Sequence, residues 1–194
     1  MCEETMPLTT LEVIRTRYSC RAFSDRMPSD EVLRTIAEAA VASPSARNIQ
    51  PWRIVVIKSQ ALLAELEAEG MAVLAAQSDR STYERIMSRG GKLYYGAPCM
   101  IIVPVPPAAP GSWEVFDCGI VSQTIALAAA SLGVDSLICG MISLSFAGAR
   151  SEAFKERLGF PEGHRAGIAV LLGYAAQPGG TPHVPNLSKI SVVE

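Results

Sequence analysis

The stretch from Val115 to Leu132 is apolar nearly all the way round, and Gly133 stops it. Ala126, Ala128, Ala129 and Ala130 let other elements approach closely. A helix with no polar face belongs at the centre of a fold or in a dimer interface, because none of its sides suits water. The rest of the chain must supply what surrounds it. Ile54-Val55-Val56-Ile57, Cys99-Met100-Ile101-Ile102-Val103, Ser136-Leu137-Ile138-Cys139-Gly140 and Ala166 to Leu172 read as short buried strands. Ser29 to Val41 carries apolar residues at helical spacing, with Ser29 as N-cap and Asp30 and Glu31 in the first turn. Thr9-Thr10-Leu11-Glu12 is a capping-box pattern, so a helix should start at Leu8 or Thr9 and reach about Arg17.

From Gln60 to Met87 the chain is amphipathic and charged, which predicts two exposed helices interrupted at Gly70, ended by Gly90-Gly91 and able to cover a pocket. A Pro-rich loop over 104–110 should close the Cys99 strand. Ser151 to Leu158 predicts a short exposed helix with Gly159 at C′. The tail, Ala175 to Ser188, reads as extended, and Ile190-Ser191-Val192-Val193 as a last edge strand. Helices and strands mix without β-α-β alternation, which indicates an α+β fold. No G-x-G-x-x-G follows a strand, so no dinucleotide-binding Rossmann unit is expected. The 194 residues fit one domain over 1–194.

Composition removes several function classes. A formal net charge of −2 without a basic block argues against nucleic acid as a partner. Prolines at 104, 106 and 107 interrupt the longest apolar run, so no membrane span is expected. Glu3 and Glu4 stand where a signal peptide would carry positive charge, which suggests a cytoplasmic protein. Cys2, Cys20, Cys99, Cys118 and Cys139 are irregularly spaced with no C-x-x-C pair, favouring reduced thiols over a disulfide scaffold. His164 and His183 have no helix-spaced partner, so no metal site is expected.

Two stretches carry candidate chemistry. Ser43-Pro44-Ser45-Ala46-Arg47-Asn48-Ile49-Gln50-Pro51-Trp52 lies between a helix and a strand and can continue neither, since Pro44 and Pro51 push the residues before them out of the helical region. It either holds a polar ligand with main chain and short side chains or is a connecting loop that satisfies its own backbone. Arg17, Ser19 and Arg21 lie within five residues at a helix end. They either present a fork of donors to a phosphate or form a solvated surface cluster.

Ser43 to Trp52 resembles the S/A-P-S-x-x-N-x-Q-P-W signature of the nitroreductase family of FMN-dependent oxidoreductases. Arg17-Tyr18-Ser19-Cys20-Arg21-Ala22-Phe23 resembles that family's R-x-S-x-R-x-F opening, and Asp117 to Gly140 its central helix, LA-x-x-x-LG turn and following strand. The resemblance implies a mixed central sheet flanked by helices, in an intertwined homodimer with one flavin in each of two interface sites. It assigns Arg17 and Ser19, with Tyr18 between them, to the FMN phosphate side and Arg21 to the N1/O2 edge of the isoalloxazine. Pro44, Ser45, Ala46 and Asn48 match positions that approach the flavin, some from the partner subunit, while Gln50 and Trp52 read as turn and packing residues. Ile138, Cys139 and Gly140 would face N5 through main chain. Cys139 is a redox thiol or, as its apolar setting indicates, an inert buried one. Many members place an Arg or Lys pair in the tail for the phosphate. Here Lys189 serves alone, Lys92 contributes, or phosphate is held more loosely.

The implied activity is electron transfer from NADH or NADPH through FMN to a small-molecule acceptor such as a nitroaromatic or quinone, with no catalytic side chain required. Two alternatives stay open: a specialised flavin-dependent dehydrogenase or reductase of a biosynthetic intermediate, and a non-catalytic flavin-binding dimer.

Overall fold

The computed structural model describes residues 9–107, 113–177 and 179–194; Cys2, the acidic N-terminus, the Leu8 helix start and residues 108–110 of the Pro-rich loop lie outside these. Among the described residues seven α-helices and four strands follow one another as α1 (Thr10–Thr16), α2 (Asp30–Val41), β1 (Val55–Ile57), α3 (Gln60–Ala75), α4 (Ser81–Met87), β2 (Cys99–Val105), α5 (Glu114–Ser131), β3 (Asp135–Cys139), α6 (Ile142–Ser145), α7 (Ser151–Arg157) and β4 (Arg165–Gly173). The sheet order is β1-β2-β4-β3, with antiparallel ladders between neighbours. One parallel bridge, Ser19 to Ser136, adds an edge to it.

The two central strands are buried on both faces, and their alternation divides the core. Met100 and Ile102 of β2 and Ala169 and Leu171 of β4 pack on one side, with Leu62, Leu66 and Leu74 of α3, Ile142 and Phe154. Cys99, Ile101 and Val103 of β2 and Val170 and Leu172 of β4 face the other side, against Leu33 and Ile36 of α2 and Val121, Ile125 and Ala129 of α5. The period-2 direction of strand side chains makes this possible: an unbroken apolar run serves two cores at once. α5 therefore lies where its composition demands, between the sheet and α2.

Helix starts follow the capping rules. The Thr9 side chain and Glu12 form the reciprocal box that opens α1, and the Ser29 and Ser59 side chains accept from Val32 N and Leu62 N to open α2 and α3. Gly159 follows α7 with φ +65°, as a C′ glycine should.

Four expectations are corrected. Gly70 does not interrupt α3; it sits inside it, where a Cβ would meet Leu93 Cδ2 at 2.6 Å and Ser145 Oγ at 3.0 Å. The glycine permits close packing rather than a break. α3 is not exposed either, since Leu62, Leu63, Leu66 and Leu74 are buried. Pro104 does not end β2: the strand continues to Val105 across a register shift at Val103/Pro104, which absorbs the missing N–H. Ile190 to Val193 forms no strand; the tail instead makes a short 3-10 turn at Leu187–Lys189 and stays exposed, pairing with no strand among the described residues.

Candidate functional site

α1 ends at Arg17, whose backbone N–H donates to Val13 and whose own conformation is extended (φ −60°, ψ 142°). The chain then runs along the start of β3, with Cys20 N–H donating to the Ser136 carbonyl at 2.9 Å. On its other side Phe23 bridges antiparallel to Ala175, Ala176 N–H donates to Ala22 O at 2.9 Å and Ser24 N–H to Tyr174 O at 2.8 Å. Residues 19–24 thus form a strip between β3 and the root of the tail, anchored by buried Cys20 and Phe23. Arg17 and Tyr18 line a cleft of about 150 Å³ with Ala130, Gly133, Asp135 and Ser136. Arg21 is exposed, and its Nη1 reaches the Ser19 carbonyl at 3.4 Å. Among the described residues neither Arg17 nor Arg21 is paired with a carboxylate. Burial, with Asp135 beside it, holds the Tyr18 phenol above its ordinary range.

The second stretch is held by α5. Ser43 Oγ donates to Thr124 Oγ1 at 2.9 Å, and Ala46 N–H donates to Asp117 Oδ1 at 3.1 Å. Asp117 is buried within an apolar helix, where an unpaired carboxylate would be costly; the loop amide is its partner. Ser45 Oγ in turn accepts from Gln50 N–H at 2.9 Å. Residues 46–48 make a 3-10 turn in which Arg47 and Asn48 have φ +55° and +54°, and Gln50 follows at +51°. Three non-glycine residues in the left-handed region within four positions store strain of the kind found at ligand sites. Pro44 and Asn48 are exposed, Ser45 and Ala46 half-buried, and Trp52 is a core residue.

Within one chain these two stretches do not meet. The Pro44–Asn48 loop hangs from Asp117 near the start of α5, whereas Arg17 and Tyr18 share a cleft with Ala130 near its end. At 1.5 Å per residue the helix rises about 20 Å between those points. β3 does join the first stretch, through Ser136. Ile138 is exposed, Cys139 is buried, and at Gly140 the nearest atom to an added Cβ is Ile168 Cδ1 at 3.9 Å, leaving the backbone open to an approaching group. Burial pushes the Cys139 thiol up, against any thiolate chemistry. Lys189 sits exposed on the tail's 3-10 turn. Lys92 lines a separate cleft with Phe23, Glu67 and Tyr94, walled by α3. Asp117 and Asp135 escaped the sequence reading. Asp117 had one available signal, as the only charged residue between Val115 and Leu132.

Among the described residues no group of three or more His, Cys, Asp or Glu could hold a metal ion, and no helix is long and apolar enough to cross a membrane. The sequence model of the nitroreductase family matches residues 14–174. An Archaeoglobus fulgidus protein with the provisional name NADH dehydrogenase/NAD(P)H nitroreductase is 32% identical over 167 residues, covering 84% of each chain. The crystal structure of a nitroreductase with bound FMN from Desulfitobacterium hafniense superposes with a TM-score of 0.91 at 54% identity, over 97% of this chain and 100% of that one. A second FMN-bound nitroreductase, from Bacteroides fragilis, gives 0.87 at 28% identity over 96% and 100%.

Proposed function

Because this chain belongs to the nitroreductase family, we propose that it acts as a single FMN-binding domain over 1–194, in a cytoplasmic homodimer, moving electrons from NADH or NADPH to small electrophiles such as nitroaromatics or quinones. The observation that carries this reading is the separation of the two half-sites along α5. A monomer leaves Pro44, Ser45, Ala46 and Asn48 about 20 Å of helix away from Arg17, Tyr18, Ser19 and Arg21. A second copy can bring one chain's loop to the other chain's strip. The apolar surface supports that arrangement: Trp113, Val115 and Phe116 at the start of α5 are 57–64% exposed, and Val184, Leu187, Ile190, Val192 and Val193 of the tail 69–93%. Surface of that kind seeks a partner.

The donor set suits a flavin mononucleotide. Arg17 and Ser19 offer a guanidinium and a hydroxyl to its phosphate end, and Arg21 adds a cation not already paired with a carboxylate. The main chain of Ile138, Cys139 and Gly140 is available where β3 ends, and Lys189 of the tail is free to supply a further cation. When bound, FMN supplies the two-electron chemistry, taking hydride from the nicotinamide donor and reducing the acceptor. The protein contributes orientation, positive potential and shielding from water. Anaerobic addition of NADH or NADPH to the purified yellow protein should bleach its flavin absorbance, and a nitroaromatic or quinone should restore it. A colourless protein that also fails to take up added FMN overturns the reading.

A further inference from the structure

The strip that carries Arg17 to Arg21 is physically joined to the root of the C-terminal tail, and two residues sit at the joint. Asp135 Oδ2 accepts from Ala175 N–H at 2.8 Å, and the Tyr18 hydroxyl lies beside the same carboxylate. The Tyr18 ring lies so close over Gly180 that a Cβ there would overlap it. Between these points Phe23 bridges to Ala175 and Ala176 donates to Ala22. Cys20, the other titratable group facing Tyr18, is buried and committed to the Ala22 carbonyl at 3.3 Å. The tail therefore leaves β4 already fastened to the strip: Asp135 holds its first residue, and Tyr18, beside Asp135, sets its ring against the sixth.

We propose that Tyr18 and Asp135 are positioning residues that lock the tail root to the Arg17–Arg21 strip, so that seating the tail and holding FMN at the strip stabilise each other. The proposal rests on the FMN reading above. Its logic is linkage: if a seated tail raises affinity for FMN, bound FMN must stabilise the seated tail by the same factor. A purely structural hydrogen bond would lack that reciprocity.

The test combines FMN affinity with amide hydrogen exchange on the full-length dimer, comparing wild type with Tyr18→Phe, Asp135→Asn and Gly180→Val. At Gly180 the three atoms nearest an added Cβ all belong to the Tyr18 ring, so an effect on FMN from that position reports the joint itself. Each variant should weaken FMN binding by about tenfold, the scale of one hydrogen bond to a charged group. In wild type, saturating FMN should slow exchange at Ala175 and Ala176 by about tenfold; in the variants that slowing should fall to about twofold or less. Amides of β2 and β4 report folding, and Gly180→Ala replaces Gly180→Val if the larger side chain unfolds them. The proposal is overturned if FMN slows tail-root exchange as much in Tyr18→Phe as in wild type, or if Gly180→Val binds FMN unchanged. A wild-type protein that takes up no FMN overturns the functional reading separately. The lock is then decided in FMN-free protein, where unchanged exchange at Ala175 and Ala176 in Tyr18→Phe and Asp135→Asn refutes it.

Discussion

Arg17 and Arg21 are four positions apart and sit in different surroundings. Arg17 is half-buried beside Asp135 and Ser136 in the cleft at the end of α5, while Arg21 is exposed beyond the strip's bridge to β3. The two should separate experimentally. A cation near the flavin ring favours its more negative, reduced form; at an effective dielectric near 20 and roughly 4 Å the attraction is about 4 kcal/mol, an upper bound for a delocalised charge. With about 30 mV per 1.4 kcal/mol for a two-electron couple, Arg21→Ala should lower the midpoint potential by some tens of millivolts and spare the binding of oxidised FMN. Arg17→Ala should instead weaken FMN retention and leave the potential nearly unchanged. Dye-equilibrated potential titrations with parallel affinity measurements check both, and an unmoved potential in Arg21→Ala refutes that residue's placement. Both arginines were legible in the sequence because they stand in a short motif. Asp135 was not, since it bonds the amide of Ala175 and stands beside Tyr18, both remote in the chain.

Among elements, α3 teaches the most. Glycine in a helix interior costs about 1 kcal/mol against alanine, so local propensity reads Gly70 as an interruption. Packing overrules it: Ser145 Oγ bonds the Leu66 carbonyl at 2.6 Å, drawing α6 against α3, and a Cβ at position 70 would press on Leu93 Cδ2 at 2.6 Å and Ser145 Oγ at 3.0 Å. Gly70→Ala should therefore lower the melting temperature despite its better propensity, with a net loss of about 1–2 kcal/mol as overpacking exceeds the helical gain. A rise in melting temperature would show that Leu93 can move aside. The short strands were readable because β2 and β4 are buried on both faces and so carry unbroken apolar runs. Ile190 to Val193 has the same β-branched composition without a sheet edge to pair with, and composition alone cannot tell the two apart.

At the scale of the whole molecule, the exposed apolar tail and the aromatic start of α5 argue for an obligate dimer. Deleting Lys189 to Glu194 should weaken both dimerisation and FMN retention, seen by light scattering and by flavin released on dilution. A folded monomer of the full chain that keeps its flavin would contradict this. The core between the sheet and α5 also sets an alkaline limit. Burial pushes Cys99 up to about 12 and Cys118 up to about 11 from an ordinary 9.0. The unfolded chain releases these protons first, so their contribution is complete below about pH 9 and is lost as pH rises toward the folded values, at about 1.4 kcal/mol per pH unit for each thiol. Melting temperature should hold from pH 7 to about 8.5 and fall above 9, and Cys118→Ala should fall less steeply. Equal slopes would place that sensitivity elsewhere.

The α+β class, the central apolar helix, the capped starts of α1 and α2 and the three family motifs were all determined by the sequence alone, because each is written in neighbouring residues: an apolar run, a Thr or Ser ahead of acids, a proline beside a polar turn. What needed the tertiary structure is every relation across the chain. Only the fold shows that Asp117 holds the 46–48 turn, that the Arg17–Arg21 strip is tied to the tail root, and that α5 keeps the 44–48 loop and that strip about 20 Å apart. Such contacts join residues far apart in sequence, and no local spacing or composition records which of them come together.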